Sequence, residues 1–215
     1  MKKYQDRKDK VVFPVNASYK LDGVFSVVTD GKFCSKNGNE FTAINMILNA
    51  GDYPDGTEGE LYNHWLAFED IISAVKRDKP NDLTEDIGFF PHKDIYSVRC
   101  DTREELDLRL KSAIDAGYEG VVIDTGKELL KYKPFFDEEY EITGTVEGKG
   151  KLQGMLGKFV CGNFSVPMNG THEYLAGLWK DRESLVGKMD TVQYQNKTRN
   201  GIPRFPRGVS IRDYE

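Results

Sequence analysis

The sequence predicts an α+β chain in two parts, mixed strands and helices first and a small β-barrel after. Three observations predict it. Residues 11–34 alternate and are rich in Val and Phe on either side of Asp30-Gly31. Thr102 to Gly117 carries both a helix start and a helix stop signal. Beyond Pro134 the chain breaks into short β-type runs separated by glycine.

The elements follow in order. Residues 11–34 read as a hairpin turning at Asp30-Gly31, and Phe41 to Asn49 as a short helix. Gly51 to Gly59 is a turn-rich loop. Phe68 to Arg77 places apolar residues at helical spacing, and Lys79 to Asp86 reads as a loop. Thr102 caps the clearest helix, Glu105 completes a capping box, and Gly117 ends it. "YEGVVID" is a buried-type strand and "ELLKYKPF" another. Past Pro134, Glu139 to Val146, Leu156 to Val160, Asn163 to Val166, Val192 to Tyr194 and Val209 to Ile211 are short strands, with a helix at His172 to Trp179. About five short strands and one helix suit a small barrel of the OB type. The predicted domains are 1–135 and 136–215.

The chain has 215 residues, 39% hydrophobic and 30% charged, which suits one or two folded domains and argues against disorder. No apolar run approaches ~18 residues, and the start "MKKYQDRKDKVVF" has no apolar signal core. Cys34, Cys100 and Cys161 are scattered, which predicts reduced thiols in a cytoplasm and no zinc site. The net charge of −5 is uneven. From Gly144 to Glu215 there are 11 Lys/Arg against 7 Asp/Glu, a local +4 that leaves −9 for the rest. A face for polyanions should therefore draw on the C-terminal third.

Five short motifs stand in order: "KLDG" (Lys20–Gly23), "SKNG" (Ser35–Gly38), "EGEL" (Glu58–Leu61), "EGVVI" (Glu119–Ile123) and "LLKYK" (Leu129–Lys133). "PRFPRGVSIRD" (Pro203–Asp213) stands near the end. Singly each is weak, and a "KxDG" alone is mostly a lysine before a turn. In this order the set resembles the nucleotidyltransferase motifs of ATP-dependent DNA ligases, including compact viral and phage forms, over nearly the whole chain.

The resemblance implies a nucleotidyltransferase (adenylation) domain followed by an OB-fold β-barrel, ATP and Mg²⁺ as cofactors, and nicked double-stranded DNA as partner to a monomeric enzyme. Lys20 would attack the α-phosphorus of ATP and carry a lysyl-AMP. A lysine amine must first lose its proton, from a pKa near ~10.4, through neighbouring cations, a metal ion or partial burial. Lys131 and Lys133, two apart on a strand, point to the same side and would neutralise the phosphate. Glu60 and Glu119 match the family's two carboxylates, one linked to the ribose and a metal water, the other to the metal. Ser35 and Lys36 fall where Ser-Arg is usual and would meet the 5′-phosphate of the nick. Lys149 and Lys151, in a Gly-Lys-Gly-Lys loop, read as phosphate contacts, and Arg204, Arg207 and Arg212 resemble the end of the OB domain and would bind nucleic acid. Trp179 reads as core.

Four positions depart from that pattern. Phe25 stands where the family commonly has an arginine. The stretch between Glu60 and Glu119 reads as too short for the strand that offers an aromatic ring to adenine, with Phe89 or Phe90 as substitutes. Glu58 replaces the usual aspartate, and the tail ends "IRDYE" without the full Arg-x-Asp-Lys ending. An RNA ligase or a capping-type guanylyltransferase shares the lysine chemistry, and Phe25 with the short segment motivates a third reading, a catalytically reduced ligase-like protein that binds nicks.

Overall fold

The computed structural model describes residues 1–212; Asp213, which closes the tail motif, and the rest of the "IRDYE" ending after it lie outside them. The chain divides into two compact units, Met1–Lys133 and Pro134–Glu215.

The first unit is built on two sheets. Its strands are β1 (Lys2–Lys3), β2 (Val15–Lys20), β3 (Val24–Thr29), β4 (Lys32–Cys34), β5 (Glu58–Tyr62), β6 (Gly88–Pro91), β7 (Ser97–Cys100), β8 (Gly120–Asp124) and β9 (Leu129–Tyr132). One sheet runs β1-β9-β8-β2-β7 and the other β4-β3-β5-β6; only the β1–β9 pair is parallel. Four helices accompany them, α1 (Thr42–Asn45), α2 (Phe68–Val75), α3 (Asp82–Glu85) and α4 (Arg103–Asp115).

Alternation explains which face of the first sheet is buried. Val15 and Ala17 of β2, with Val121 and Ile123 of β8, point to a core they share with Leu106 and Ala113 of α4. The opposite face carries the intervening residues, Ser18, Val122 and Lys131 in one register row and Lys20 beside them. The second sheet buries Val28, Leu61 and Phe89 against α1 and α2, through Ile44, Ile71 and Val75.

Several expectations change here. The stretch 11–34 is not one hairpin: β3 and β4 turn at Asp30-Gly31, but β2 belongs to the other sheet. The segment expected to be too short for a further strand holds one, since β6 pairs with β5 along its whole length. Lys79 to Asp86 contains α3, whose Asn81 and Thr84 side chains and backbones cap one another.

The second unit contains β10 (Phe136–Glu141), β11 (Gly144–Glu147), β12 (Leu156–Cys161), β13 (Phe164–Val166), α5 (His172–Lys180), α6 (Arg182–Leu185), β14 (Met189–Tyr194) and β15 (Arg207–Arg212). They make two three-stranded sheets, β10-β14-β15 and β11-β12-β13. The single strand expected from Glu139 to Val146 is bent into two for a visible reason. Ile142 N–H donates to Lys188 C=O, whereas Thr143 N–H donates to Val160 C=O, so neighbouring residues pair with different sheets. Among the described residues no continuous ladder closes these strands into a barrel. A parallel bridge between Met168 and Gly208 joins the far edges, with Gly208 N–H on Pro167 C=O and Asn169 N–H on Gly208 C=O, each 3.0 Å.

The core of this unit includes Ile142, Leu156, Phe159, Val166, Leu175 and Val192, with Trp179 packed partly buried against it and the Arg182 guanidinium 4.8 Å from its ring centre. Cys34, Cys100 and Cys161 are buried and unpaired. No described helix is long and apolar enough to cross a membrane.

Candidate active site

Three of the motif residues meet in the first unit because strands β2, β8 and β9 are neighbours. Lys20 ends β2 opposite Gly120, and the Glu119 N–H donates to the Lys20 C=O at 3.0 Å, so the two side chains leave the sheet together. Lys133 follows β9 directly, and its register is held from the N-terminus. There Tyr4 N–H donates to Lys131 C=O at 2.9 Å and the Gln5 amide donates to Lys133 C=O at 3.0 Å. Two glycines permit the approach. A Cβ on Gly120 would lie 2.3 Å from Tyr132 C=O, and one on Gly23 would lie 2.7 Å from Leu61 C=O. The glycines of "EGVVI" and "KLDG" thus bring backbones together around the lysine.

The side chains form one ionic cluster. Lys20 Nζ stands 2.6 Å from Glu119 Oε2, and Lys133 Nζ donates to Glu119 Oε1. Their side chains are 15%, 10% and 11% exposed for Lys20, Lys133 and Glu119, so this is no solvated surface bridge. Burial by itself works to raise the Glu119 carboxyl; the charges of Lys20 and Lys133 and their hydrogen bonds overcome it and hold the group below the usual carboxylate range. Burial pushes the Lys133 ammonium below its ordinary value, Glu119 opposes this, and Lys20 and Lys131 add to the lowering. Two cations share one anion in a nearly dry place. That surplus of positive charge is relieved by losing a proton or by receiving an anion.

Glu60 belongs to the second sheet of the same unit. Register sets Phe25, Glu60 and Phe90 in one row across β3, β5 and β6. Phe89 turns into the core, while Phe90 is half-exposed on the Glu60 face. His92 follows β6, with Nε2 3.5 Å from Glu60 Oε1 and its ring 6.0 Å from that of Phe25. Glu60 Oε2 is buried and has no hydrogen-bond partner. His92 is the residue that sequence reasoning missed. The signal was present: once "GFFP" is a strand beside "EGEL", alternation carries Phe90 and then His92 toward Glu60.

Ser35 shapes a turn after β4, its Oγ accepting from Asn39 N–H at 3.1 Å, and Lys36 is exposed in the same turn. In the second unit Lys149 and Lys151 are exposed around a single 3-10 turn. The glycine before them is not an open cradle, since a Cβ on Gly148 would meet Leu152 at 2.4 Å. Arg204 lies 5.6 Å over Phe205, which is 60% exposed at a φ of 53°. Arg207 donates to Asn169 Oδ1 at 3.3 Å, and Arg212 to Thr191 Oγ1 at 3.4 Å with Glu139 at 3.7 Å.

Comparison with known proteins bears on the second unit first. The family model for the DNA ligase OB-like domain matches residues 147–212. That stretch is similar to the OB-like domain of DNA ligases. It contains all five of the expected basic residues of this unit, from Lys149 to Arg212. No curated protein matches the chain in sequence.

Among solved structures, a Lig E DNA ligase, from work on DNA binding with a minimal scaffold, shares the fold end to end. It has a TM-score of 0.79 at 19% identity, with 99% of this chain and 98% of that one covered. Pmar-Lig_PreS3 superposes with a TM-score of 0.78 at 20% identity over 98% of this chain, and Pmar-Lig_Pre with 0.80 at 19% over 100%. The chain spans 66% of Pmar-Lig_PreS3 and 67% of Pmar-Lig_Pre. At these identities the likeness is one of fold.

Proposed function

We propose that the protein is an ATP-dependent DNA ligase that seals nicks in duplex DNA. The observation that carries this is the pairing, in one chain, of a buried Lys20–Glu119–Lys133 cluster with a segment of the DNA ligase OB-like type. The cluster supplies a nucleophile and a surplus of positive charge for a phosphate. The second unit supplies basic side chains of the kind that position a nucleic-acid backbone.

In this reading residues 1–135 are the adenylation domain. Residues 136–215 are an OB barrel, which the strand bent at Ile142 and the bridge between Met168 and Gly208 both support. Lys20 Nζ, once unprotonated, attacks the α-phosphorus of ATP. An N–P bond forms, the bond from that phosphorus to the pyrophosphate oxygen breaks, and pyrophosphate leaves. Lys131 and Lys133, on the same face, offset charge growing on the phosphate oxygens. The 5′-phosphate of the nick then displaces lysine from the adenylate. Last, the 3′-hydroxyl attacks that phosphate, closes the strand and expels AMP.

The donor set also fits Mg²⁺. Among the described residues no three His, Cys, Asp or Glu side chains converge, so there is no closed cage. Glu60 keeps a buried carboxylate oxygen without a partner, and Glu119 stands beside the lysines that would meet the phosphate. One or two carboxylates next to substrate phosphates is how Mg²⁺ is usually held, with its remaining positions on water. When bound, it supplies positive charge to the phosphate oxygens.

The test is sealing of a duplex with one 5′-phosphorylated nick, followed on a denaturing gel. The expected result is ATP-dependent joining with release of AMP. Joining that prefers a nicked RNA, or a GTP requirement, would move the assignment to the RNA ligase or capping class. Salt-sensitive binding to nicked DNA with no joining would select the catalytically reduced reading.

A further inference from the structure

A second gathering of charge lies at the far end of the β8–β9 hairpin from Lys20. There Arg7, Lys10 and Lys127 line a recess of about 100 Å³ whose lining carries one acid, Glu128. Each wall is held by its own backbone. Arg7 precedes the 3-10 turn Lys8–Lys10, which closes with Lys10 N–H on Arg7 C=O at 2.8 Å, and side chains three apart in such a turn stand one above the other. Across from them, the Thr125 hydroxyl accepts from Lys127 N–H at 3.3 Å and from Glu128 N–H at 3.1 Å, which fixes the turn between β8 and β9. Glu128 is already taken. Lys2 Nζ donates to its Oε2 at 2.8 Å, and this bond, with the charges of Arg7 and Lys10 adding to it, holds the carboxyl below the usual carboxylate range. Arg7, Lys10 and Lys127 have no hydrogen-bond or ion-pair partner for their side chains among the described residues. Val11 and Leu130, both part of the core of this unit, make the lining partly apolar, and charges beside an apolar surface act more strongly than in water.

We propose that this recess, with Arg7, Lys10 and Lys127 as its donors, is a binding site for a phosphate group, separate from the adenylation cluster. Glu128 stands five positions before Lys133 along β9, a span of ~16 Å, so one phosphate cannot serve both places. The ligand class follows from the donors. A guanidinium takes two oxygens at once and each ammonium takes one, from two walls, which suits a tetrahedral dianion better than the two oxygens and single charge of a carboxylate. Free phosphate and a nucleic-acid backbone present this same group. An anion held here would tie Arg7 and Lys10 to the hairpin. They belong to the N-terminal segment whose Tyr4 N–H and Gln5 amide hold the carbonyls of Lys131 and Lys133. The inference stands whether or not Lys20 carries an adenylate.

The test titrates the isotope-labelled full chain with inorganic phosphate near neutral pH, at ionic strength held constant with sodium chloride, and follows backbone amides by NMR. The Val11, Gly126 and Lys127 signals are expected to move together and to saturate. Arg7→Gln with Lys127→Gln should weaken that binding about tenfold or more, through the loss of charge-assisted hydrogen bonds. Glu128→Gln should tighten it severalfold, since it removes the one acid of the recess and releases Lys2; a mere surface ion pair would give no such gain. Binding to a duplex with one 5′-phosphorylated nick, measured over a salt series, separates the two sources. A log–log slope lower by about 2 in the double variant identifies a backbone phosphate, and an unchanged slope identifies free phosphate. Amide shifts that never saturate, equal affinity in the double variant, or saturable shifts confined to the surroundings of Lys20 and Lys133 would each overturn the proposal. No step of this test needs ATP, so a chain that forms no adenylate would sink the ligase reading and leave this result standing. Circular-dichroism melts establish that the variants are folded, and Lys10→Gln carries the test should the double variant be lost.

Discussion

Asp190 gives the most quantitative prediction. It is the second residue of β14, opposite Tyr140 of β10 and Ile211 of β15, and is completely buried. Neither carboxylate oxygen has a hydrogen-bond partner. Gly208 packs directly on it: a Cβ there would lie 2.6 Å from Asp190 Oδ2 and 2.5 Å from Met168 Sδ. Burial therefore lifts this carboxyl from 3.8 to about 7. The sign follows from which state ionises first. Below pH 3.8 both folded and unfolded chains are protonated and the group costs nothing. As pH rises the unfolded chain ionises while the folded one stays neutral, so stability falls until the folded carboxyl also ionises near pH 7. At ~1.4 kcal/mol per pKa unit, the loss across that window is about 4 kcal/mol.

The perturbation is Asp190→Asn, which is neutral throughout. Its amide is also buried and short of partners, a fixed cost that does not vary with pH. The readout is therefore the change with pH in the stability difference between variant and wild type. Trp179, packed on the core of the same unit, reports it by fluorescence in a Trp65→Phe background, since Trp65 is 88% exposed and its removal costs little. From about pH 4 to pH 8 the variant should gain up to ~4 kcal/mol on the wild type, a shift well over ~10 °C in the melting of so small a unit. A difference that stays level across that range would refute the reasoning and show that the carboxylate has a donor in solution.

Two further predictions concern the motifs. Glu119→Gln leaves Lys20 and Lys133 facing one another without the anion between them, and should cost about 3 kcal/mol of stability in denaturant titration together with label transfer; an unchanged midpoint would contradict the buried cluster. Lys149→Glu with Lys151→Glu should weaken binding to nicked duplex and flatten its salt dependence by about 2 in log–log slope, and an unchanged slope would remove that loop from the interface.

How much of this was legible in the sequence depends on the range of the signal. The α4 helix was readable because Thr102 and the first turn declare it locally, and Thr102 does accept from Glu105 N–H in the structure. The meeting of Lys20, Glu119 and Lys133 was implied only by the order of motifs; what joins them is the pairing of strands about 100 residues apart, which no local pattern states. β6 was missed because four residues ending in proline resemble a loop, yet it brings Phe90 and His92 to Glu60. β1 is two lysines with no apolar signal at all, made a strand by its neighbour β9. Asp190 carries no local signal of burial, and only the packing of β14 against Gly208 buries it.

The most direct test asks where an adenylate sits. Incubation with ATP and Mg²⁺, quenching in denaturant at alkaline pH, protease digestion and mass spectrometry of the peptides without acid should find one AMP, joined through phosphorus to the Nζ of Lys20 and lost in Lys20→Ala. An adenylate on another residue, or none on a folded protein, would contradict the central claim.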